Sequence, residues 1–245
     1  MRLTVLGGRG GWPDAATGCS GYLVEQDGFV VLIDPGYATF PRLLGHCDAR
    51  DIDAVLVSHG HPDHCADLSP LLRARALAGR PAPRLPLHAP PGALDAVLAL
   101  DRPGMLDDYL ELREFAPGAA FPVGPFSVSS WLLPHWTPDA GLRLRAGGSV
   151  LAYTGDTGPS PALPALARDA DLFIAEASYP DRVPADSRRF LSSARQAGQV
   201  AAAAGAGHLI LTHLMAGTSQ EAASAAAASY DGAISVASPG LTATA

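Results

Sequence analysis

The stretch His59-Gly60-His61-Pro62-Asp63-His64 constrains this chain more than any other, because it crowds three imidazoles and a carboxylate into a single turn. It follows residues 52–58 (IDAVLVS), a nearly continuous apolar run that suits a strand buried on both faces. A buried strand thus delivers the chain straight into a donor-rich loop. Imidazole and carboxylate are natural ligands of Zn²⁺ and similar borderline ions, and a tight turn after a strand directs alternate side chains at two neighbouring ions. Gly60 permits unusual backbone angles between two donors and Pro62 stiffens the turn, so the loop is partly formed before any cation arrives.

A histidine-rich surface loop arising by chance would have no further donors waiting at other strand ends. Here His135 follows the run WLLP, Asp156 sits in TGDTG after SVLAYTG, and His213 ends HLILTH. Each lies at the C-terminal edge of a predicted strand, so all three can converge on one rim. Taken singly, a histidine beside a strand is more often a hydrogen-bonded neighbour, and an aspartate between glycines more often forms a turn. The combination carries the argument. The remaining histidines, His46, His88 and His208, match no metal-binding pattern and are expected to be structural or exposed.

The rest of the chain supplies a frame of mixed strands and helices. RLTVLG, followed by GYLVEQ and FVVLI around an Asp27-Gly28 turn, predicts three short strands that include a hairpin. Helical spacing is predicted over 68–79, ending near Gly79, and again over 92–100, with a proline-rich connector at 80–91 between them. Beyond Phe126 come three more strands, a helix at 162–170 and a buried strand DLFIAEAS. An alanine-rich helix at 192–205, the strand HLILTH, a helix at 219–230 and a last strand AISVAS complete the pattern.

Residues 1–245 are expected to form one domain, with 48% hydrophobic residues available for its core. The net charge is −7 and all 17 basic residues are arginines, a balance that repels a polyanion and argues against a large nucleic-acid partner. Cys19, Cys47 and Cys65 make an odd number without a CxxC pair, so neither a disulfide framework nor a thiolate zinc site is indicated, and a reducing cytoplasm fits. The N-terminus lacks a signal-peptide pattern and no run approaches the roughly 20 apolar residues of a bilayer span, so no membrane association is expected. Arg73, Arg75, Arg80 and Arg84 read as an exposed helix face and connector. Arg182, Arg188 and Arg189 read as solvated surface. Trp12, Trp131 and Trp136 are candidates to line a pocket, Trp136 first because it adjoins His135.

HGHPDH resembles the HxHxDH signature of the metallo-β-lactamase superfamily, and the later His135, TGDTG and LTHL match the order of that family's remaining metal motifs across nearly the whole chain. The resemblance implies an α/β, four-layer αββα sandwich and a dinuclear metal site. His59, His61 and His135 would hold one divalent cation, Asp63, His64 and His213 the other, and Asp156 would bridge them. Zinc is the expected metal, with manganese and iron as alternatives. AEASY and SSARQAG resemble the ribonuclease Z branch, which includes small phosphodiesterases. That implies hydrolysis of a small phosphate ester or cyclic nucleotide through a metal-bridging hydroxide. Asp63 would orient the nucleophile and Glu176 would support a histidine from behind, both counted as catalytic. A homodimer is a further expectation from the resemblance. No insertion of the kind that grips tRNA is seen.

One position departs from the branch. Its members carry a histidine before the Leu-Ser pair that opens the 192–205 helix, a group implied to protonate the leaving alkoxide, whereas this chain has Phe190. Three readings follow: a leaving group that needs no acid, another donor such as Tyr179 or one of the arginines of the 180s, or a carbonyl substrate such as a thioester, lactone or lactam. A metal-binding protein without catalysis is the remaining alternative.

Overall fold

The computed structural model describes residues 1–79 and 82–245. The first sheet contains β1 (Arg2–Arg9), β2 (Gly18–Cys19), β3 (Gly21–Gln26), β4 (Phe29–Ile33), β5 (Ala54–Leu56), β6 (Leu85–Ala89) and β7 (Leu110–Glu114). The second runs from β8 (Ala120–Val123), β9 (Phe126–Leu133), β10 (Asp139–Ala146) and β11 (Ser149–Tyr153) to β12 (Leu172–Glu176), β13 (His208–Thr212) and β14 (Ala233–Val236). A last strand, β15 (Thr242–Thr244), returns to the first sheet and pairs antiparallel with β1. The spatial orders are β15-β1-β3-β4-β5-β6-β7, with β2 on β1, and β14-β13-β12-β11-β10-β9-β8. Strands β4 to β7 are mutually parallel, as are β11 to β14, so their C-terminal ends share an edge in each sheet.

The two sheets face each other across a core drawn from both, with Val5, Tyr22, Ile33 and Leu56 meeting Val128, Leu142, Tyr153 and Ile174. Helices cover the outer faces. On the first sheet lie α1 (Phe40–Leu43), α2 (Pro62–Cys65), α3 (Leu68–Leu77) and α4 (Asp95–Leu98). On the second lie α5 (Leu163–Ala167), α6 (Ala194–Ala204) and α7 (Ser219–Ala227). This is the αββα sandwich, two mixed sheets flanked by helices.

Local chemistry explains several boundaries. At the β3–β4 hairpin both Asp27 (φ 53°) and Gly28 (φ 78°) are left-handed, as a two-residue turn that follows the sheet twist requires. Helix α6 opens on a reciprocal cap, in which Ser193 Oγ accepts from Gln196 N–H and the Gln196 side chain accepts from Ser193 N–H. Its alanines Ala197, Ala201 and Ala204 are buried beside Ala222 and Ala226 of α7, so small side chains serve close helix packing.

Three expectations are corrected. The 80–91 connector contains a strand, β6, whose apolar Leu85, Leu87 and Ala89 are fully buried; Arg80 itself lies outside the described residues. The helix predicted over 92–100 is a single turn, α4, and Leu100 beyond it is 70% exposed. Arg75 is buried: its guanidinium donates to the carbonyls of Ala49 (2.8 Å), Ile52 (3.2 Å) and Pro83 (2.8 Å), which replace the water a charged group would need.

Candidate metal centre

All seven residues singled out as ligands meet at the shared C-terminal edge. His59, His61, Asp63 and His64 come from the turn after β5 and from α2. His135 follows β9, Asp156 follows β11, and His213 follows β13. Two groups form, His59/His61/His135/Asp156 and Asp63/His64/Asp156/His213, and within each group the donor atoms lie within 4.8 Å of one another. Asp156 belongs to both.

The spacings are those of ligands around an ion. In the first group His61 Nδ1 stands 3.0 Å from both His59 Nε2 and His135 Nε2, while Asp156 Oδ2 is 3.9 and 3.8 Å from the latter two. In the second, His64 Nε2 is 3.2 Å from Asp156 Oδ1, and His213 Nε2 is 3.2 Å from Asp63 Oδ2. Four donors in a tetrahedron about a zinc ion, each about 2.0–2.1 Å from it, lie about 3.3 Å from one another. His64 Nε2 and Asp156 Oδ1 are buried without a hydrogen-bond partner. Buried polar atoms are rarely left so, and a divalent cation satisfies both. The donor set of nitrogen and carboxylate oxygen fits zinc, manganese or iron.

Each imidazole but one is oriented from behind through Nδ1. His64 Nδ1–H donates to Asp34 Oδ2 (2.7 Å), His59 Nδ1–H to Ser58 Oγ (3.1 Å) with Asp139 Oδ1 also 3.1 Å from that nitrogen, and His135 Nδ1–H to the Phe190 carbonyl (3.0 Å). His213 Nδ1–H donates to Ser178 Oγ (2.8 Å), whose hydroxyl donates to Glu176 Oε1 (2.7 Å). These bonds fix the tautomer that turns Nε2 toward the ion, the usual outer-shell arrangement of metal-binding histidines. His61 is the exception and presents Nδ1.

Asp34, Asp139 and Ser178 are functional positions that the sequence reading missed. Asp34 ends an apolar strand just as the ligands do, which is the signal that would have found it. Asp139 follows Pro138 in what reads as a loop, and no signal marks it. The Gly10-Gly11 turn after β1 is also part of the site: Gly11 N–H donates to Asp63 Oδ2 (2.8 Å), and a Cβ at Gly10 would come within 2.7 Å of His213 Nδ1. His213 (φ 60°) and Asp34 (φ 49°) hold left-handed backbone, a local cost that clusters at functional sites.

Electrostatics follow from burial and mutual charge. Burial, reinforced by His64, pushes the His59 imidazole well below its usual value, and burial also lowers His61 and His135, so these three stay neutral. For His213 burial works downward, but Asp156 and Asp63 overcome it and carry the group to about 10. His64 is likewise raised against burial by Asp156 and Asp34. Glu176 is pushed up to about 8 by burial and then by Asp156.

Glu176 is only 1% exposed and sits beneath the site rather than in it. Besides Ser178, its carboxylate accepts from Thr157 N–H and Ser192 N–H, both at 2.9 Å. It therefore ties together the loop of Asp156, the support of His213 and the segment whose Phe190 carbonyl holds His135. Above the ligands lies a pocket of about 330 Å³, lined among others by Gly11, Asp63, Trp136, Tyr179, Leu191 and Met215. Of the three tryptophans only Trp136 lines it; Trp12, next to Gly11, is exposed and Trp131 packs against the core beneath α5 and α6. Arg182, Arg188 and Arg189 are exposed, as expected.

A pair of cation sites sharing one carboxylate at the edge of an αββα sandwich defines a dinuclear metal hydrolase centre. The chain belongs to the metallo-β-lactamase superfamily: residues 30–214 match the Beta-lactamase superfamily domain. It is 30% identical over 217 residues to the probable metallo-hydrolase YhfI of Bacillus subtilis (strain 168), covering 87% of each chain. The crystal structure of YhfI superposes with a TM-score of 0.90 at 28% identity, covering 99% of both chains. The chain is also 31% identical over 260 residues to a ribonuclease Z of Kineococcus radiotolerans, covering 86% of this chain and 82% of that protein. No described helix is long and apolar enough to cross a membrane.

Proposed function

We propose that this chain, acting as one domain, is a phosphodiesterase that hydrolyses a small phosphate ester or cyclic nucleotide. The observation that carries the reading is the bridging position of Asp156 between two complete donor groups at the floor of a pocket of about 330 Å³. That volume lies at the low end of small-molecule sites and admits a mononucleotide rather than a folded nucleic acid. Similarity to a protein named ribonuclease Z supports phosphodiester chemistry, while the net charge of −7 weighs against a tRNA-sized substrate.

Two divalent cations, when bound, lower the pKa of a shared water and stabilise negative charge on the attacking and leaving oxygens of an in-line displacement. His59, His61 and His135 would supply neutral donors to one cation, Asp63, His64 and His213 would hold the other, and Asp156, common to both groups, would serve both. Asp63, clamped by Gly11 N–H, is the carboxylate that orients the attacking water. Glu176, sealed from the pocket, is a positioning residue that acts through Ser178 on His213. Tyr179 lines the pocket and its phenol is the group taken to donate a proton to the leaving alkoxide, since the Phe190 side chain cannot. The reading includes zinc as the metal, a homodimer and a cytoplasmic location, the last supported by three unpaired cysteines.

Metal-loaded protein is expected to hydrolyse bis-aryl phosphates and cyclic nucleotides, with Asp63→Asn lowering kcat by at least about 10²-fold. If a panel of thioesters, lactones and lactams is turned over in their place, the carbonyl alternative replaces this reading. If neither panel is touched, the protein binds metal without catalysis.

A further inference from the structure

Phe190 stands where the branch that this chain resembles has a proton-donating histidine, and the structure shows what the benzyl group does there. Its ring lies 5.1 Å from the indole of Trp136, centroid to centroid, at an interplanar angle of 35°. Trp136 in turn lies 5.0 Å from the imidazole of the metal ligand His135. The indole is not core: the residue is 52% exposed and lines the pocket over the cation sites. A tryptophan left half in water at the lip of a metal centre offers an unused aromatic face.

The platform is held stiffly. Pro134 and Pro138 bracket the His135-Trp136-Thr137 segment and restrict its backbone. The Phe190 carbonyl accepts from His135 Nδ1–H at 3.0 Å, so the residue that fixes a ligand through its backbone braces the indole through its side chain. The Arg189 guanidinium lies 5.8 Å from the Phe190 ring centre and adds positive charge at the same rim.

Resting on the phosphodiesterase reading of this site, we infer that Trp136, braced by Phe190, is a stacking platform that selects phosphate esters carrying a nucleobase. With the phosphate over the cation sites, the ring adjoining His135 is within one sugar's reach, and every base offers a π-face to it. The platform discriminates by the presence and area of the ring rather than by its hydrogen-bonding edge. Purines therefore bind better than pyrimidines, and both bind better than a sugar phosphate without a base.

The test uses metal-loaded full-length protein and two probes, adenosine 5′-monophosphate and ribose 5-phosphate, whose binding is measured by calorimetry. Base stacking of the strength found on exposed aromatic side chains makes the nucleotide bind about 5- to 150-fold more tightly. Trp136→Ala should abolish that ratio by weakening the nucleotide alone, Trp136→Phe should keep part of it, and Phe190→Leu should reduce it with the metal content unchanged. Equal binding of the two probes to the unmodified protein, or no binding of either, overturns the inference. So does a Trp136→Ala protein that weakens both probes alike. Turnover is read separately: a protein that prefers the nucleotide yet cleaves no phosphodiester keeps the platform and loses the phosphodiesterase reading. A protein that cleaves phosphodiesters without preferring the nucleotide does the reverse.

Discussion

Asp34 shows how much of a metal centre rests on a residue that touches no metal. It is fully buried and accepts from Ser58 N–H (2.7 Å), Ser58 Oγ (2.6 Å), Tyr153 OH (2.7 Å) and His64 Nδ1–H (2.7 Å). Asp34→Asn would replace one acceptor oxygen by an amide N–H₂, which meets either Ser58 N–H or the point where Ser58 Oγ, Tyr153 OH and His64 Nδ1–H converge, and so weakens the bond that orients His64. The expected outcome is a 10- to 100-fold loss of affinity at the Asp63/His64/His213 position, of the order measured for outer-shell partners generally. Chelator competition would show two unequal sites where the parent shows two tight ones; unaltered binding of both cations would refute the assignment. The ligands themselves were legible in the sequence because five histidines and two aspartates at strand ends are a costly coincidence. Asp34 was not, since an aspartate before Pro35-Gly36 reads as a turn former, and its partners His64 and Tyr153 lie 30 and 119 positions away along the chain.

At the scale of elements, α3 and the chain entering β5 are joined by one buried cation. The three carbonyls that Arg75 satisfies belong to the 49–52 segment and to Pro83, so this side chain anchors the approach to the strand that delivers the ligand loop. Replacing it by Met keeps the aliphatic stem and removes the bonds, and should cost about 2–3 kcal/mol of unfolding free energy, as hydrogen bonds to charged groups do. Urea denaturation measures this, and a loss under 1 kcal/mol would mean that the carbonyls find water instead. From sequence, Arg73 and Arg75 look alike on an exposed helix; only the tertiary fold turns one inward. Three of the strands that escaped notice share a similar reason. In β7 (LELRE) three of the five residues are exposed, β8 begins on the exposed Ala120, and β15 is three residues long. Short edge strands carry little apolar periodicity, and pairing partners rather than their own side chains make them strands. The apolar 52–58 run that contains β5, the strands β9 to β13 and the alanine-rich helix α6 announced themselves, because apolar runs, alternation and helix-forming composition are written in consecutive residues.

For the molecule as a whole, each cation position draws two donors from the β5 turn of the first sheet and two from strand ends of the second. Loading is therefore coupled to protonation across both sheets. In the metal-free protein His213 holds its proton up to about 10 and His64 well beyond its usual range, because Asp156 faces both. A cation needs the deprotonated imidazoles, so it must expel those protons, and its apparent affinity should climb as pH rises from 6 to 9. Calorimetry in buffers of differing ionisation enthalpy should register proton release on binding; a flat affinity across that interval would contradict the geometry. The cations act as rivets along a single margin of two apposed plates, so the far margin, which they do not reach, is where heat is expected first to prise the plates open and backbone amides first to exchange with solvent.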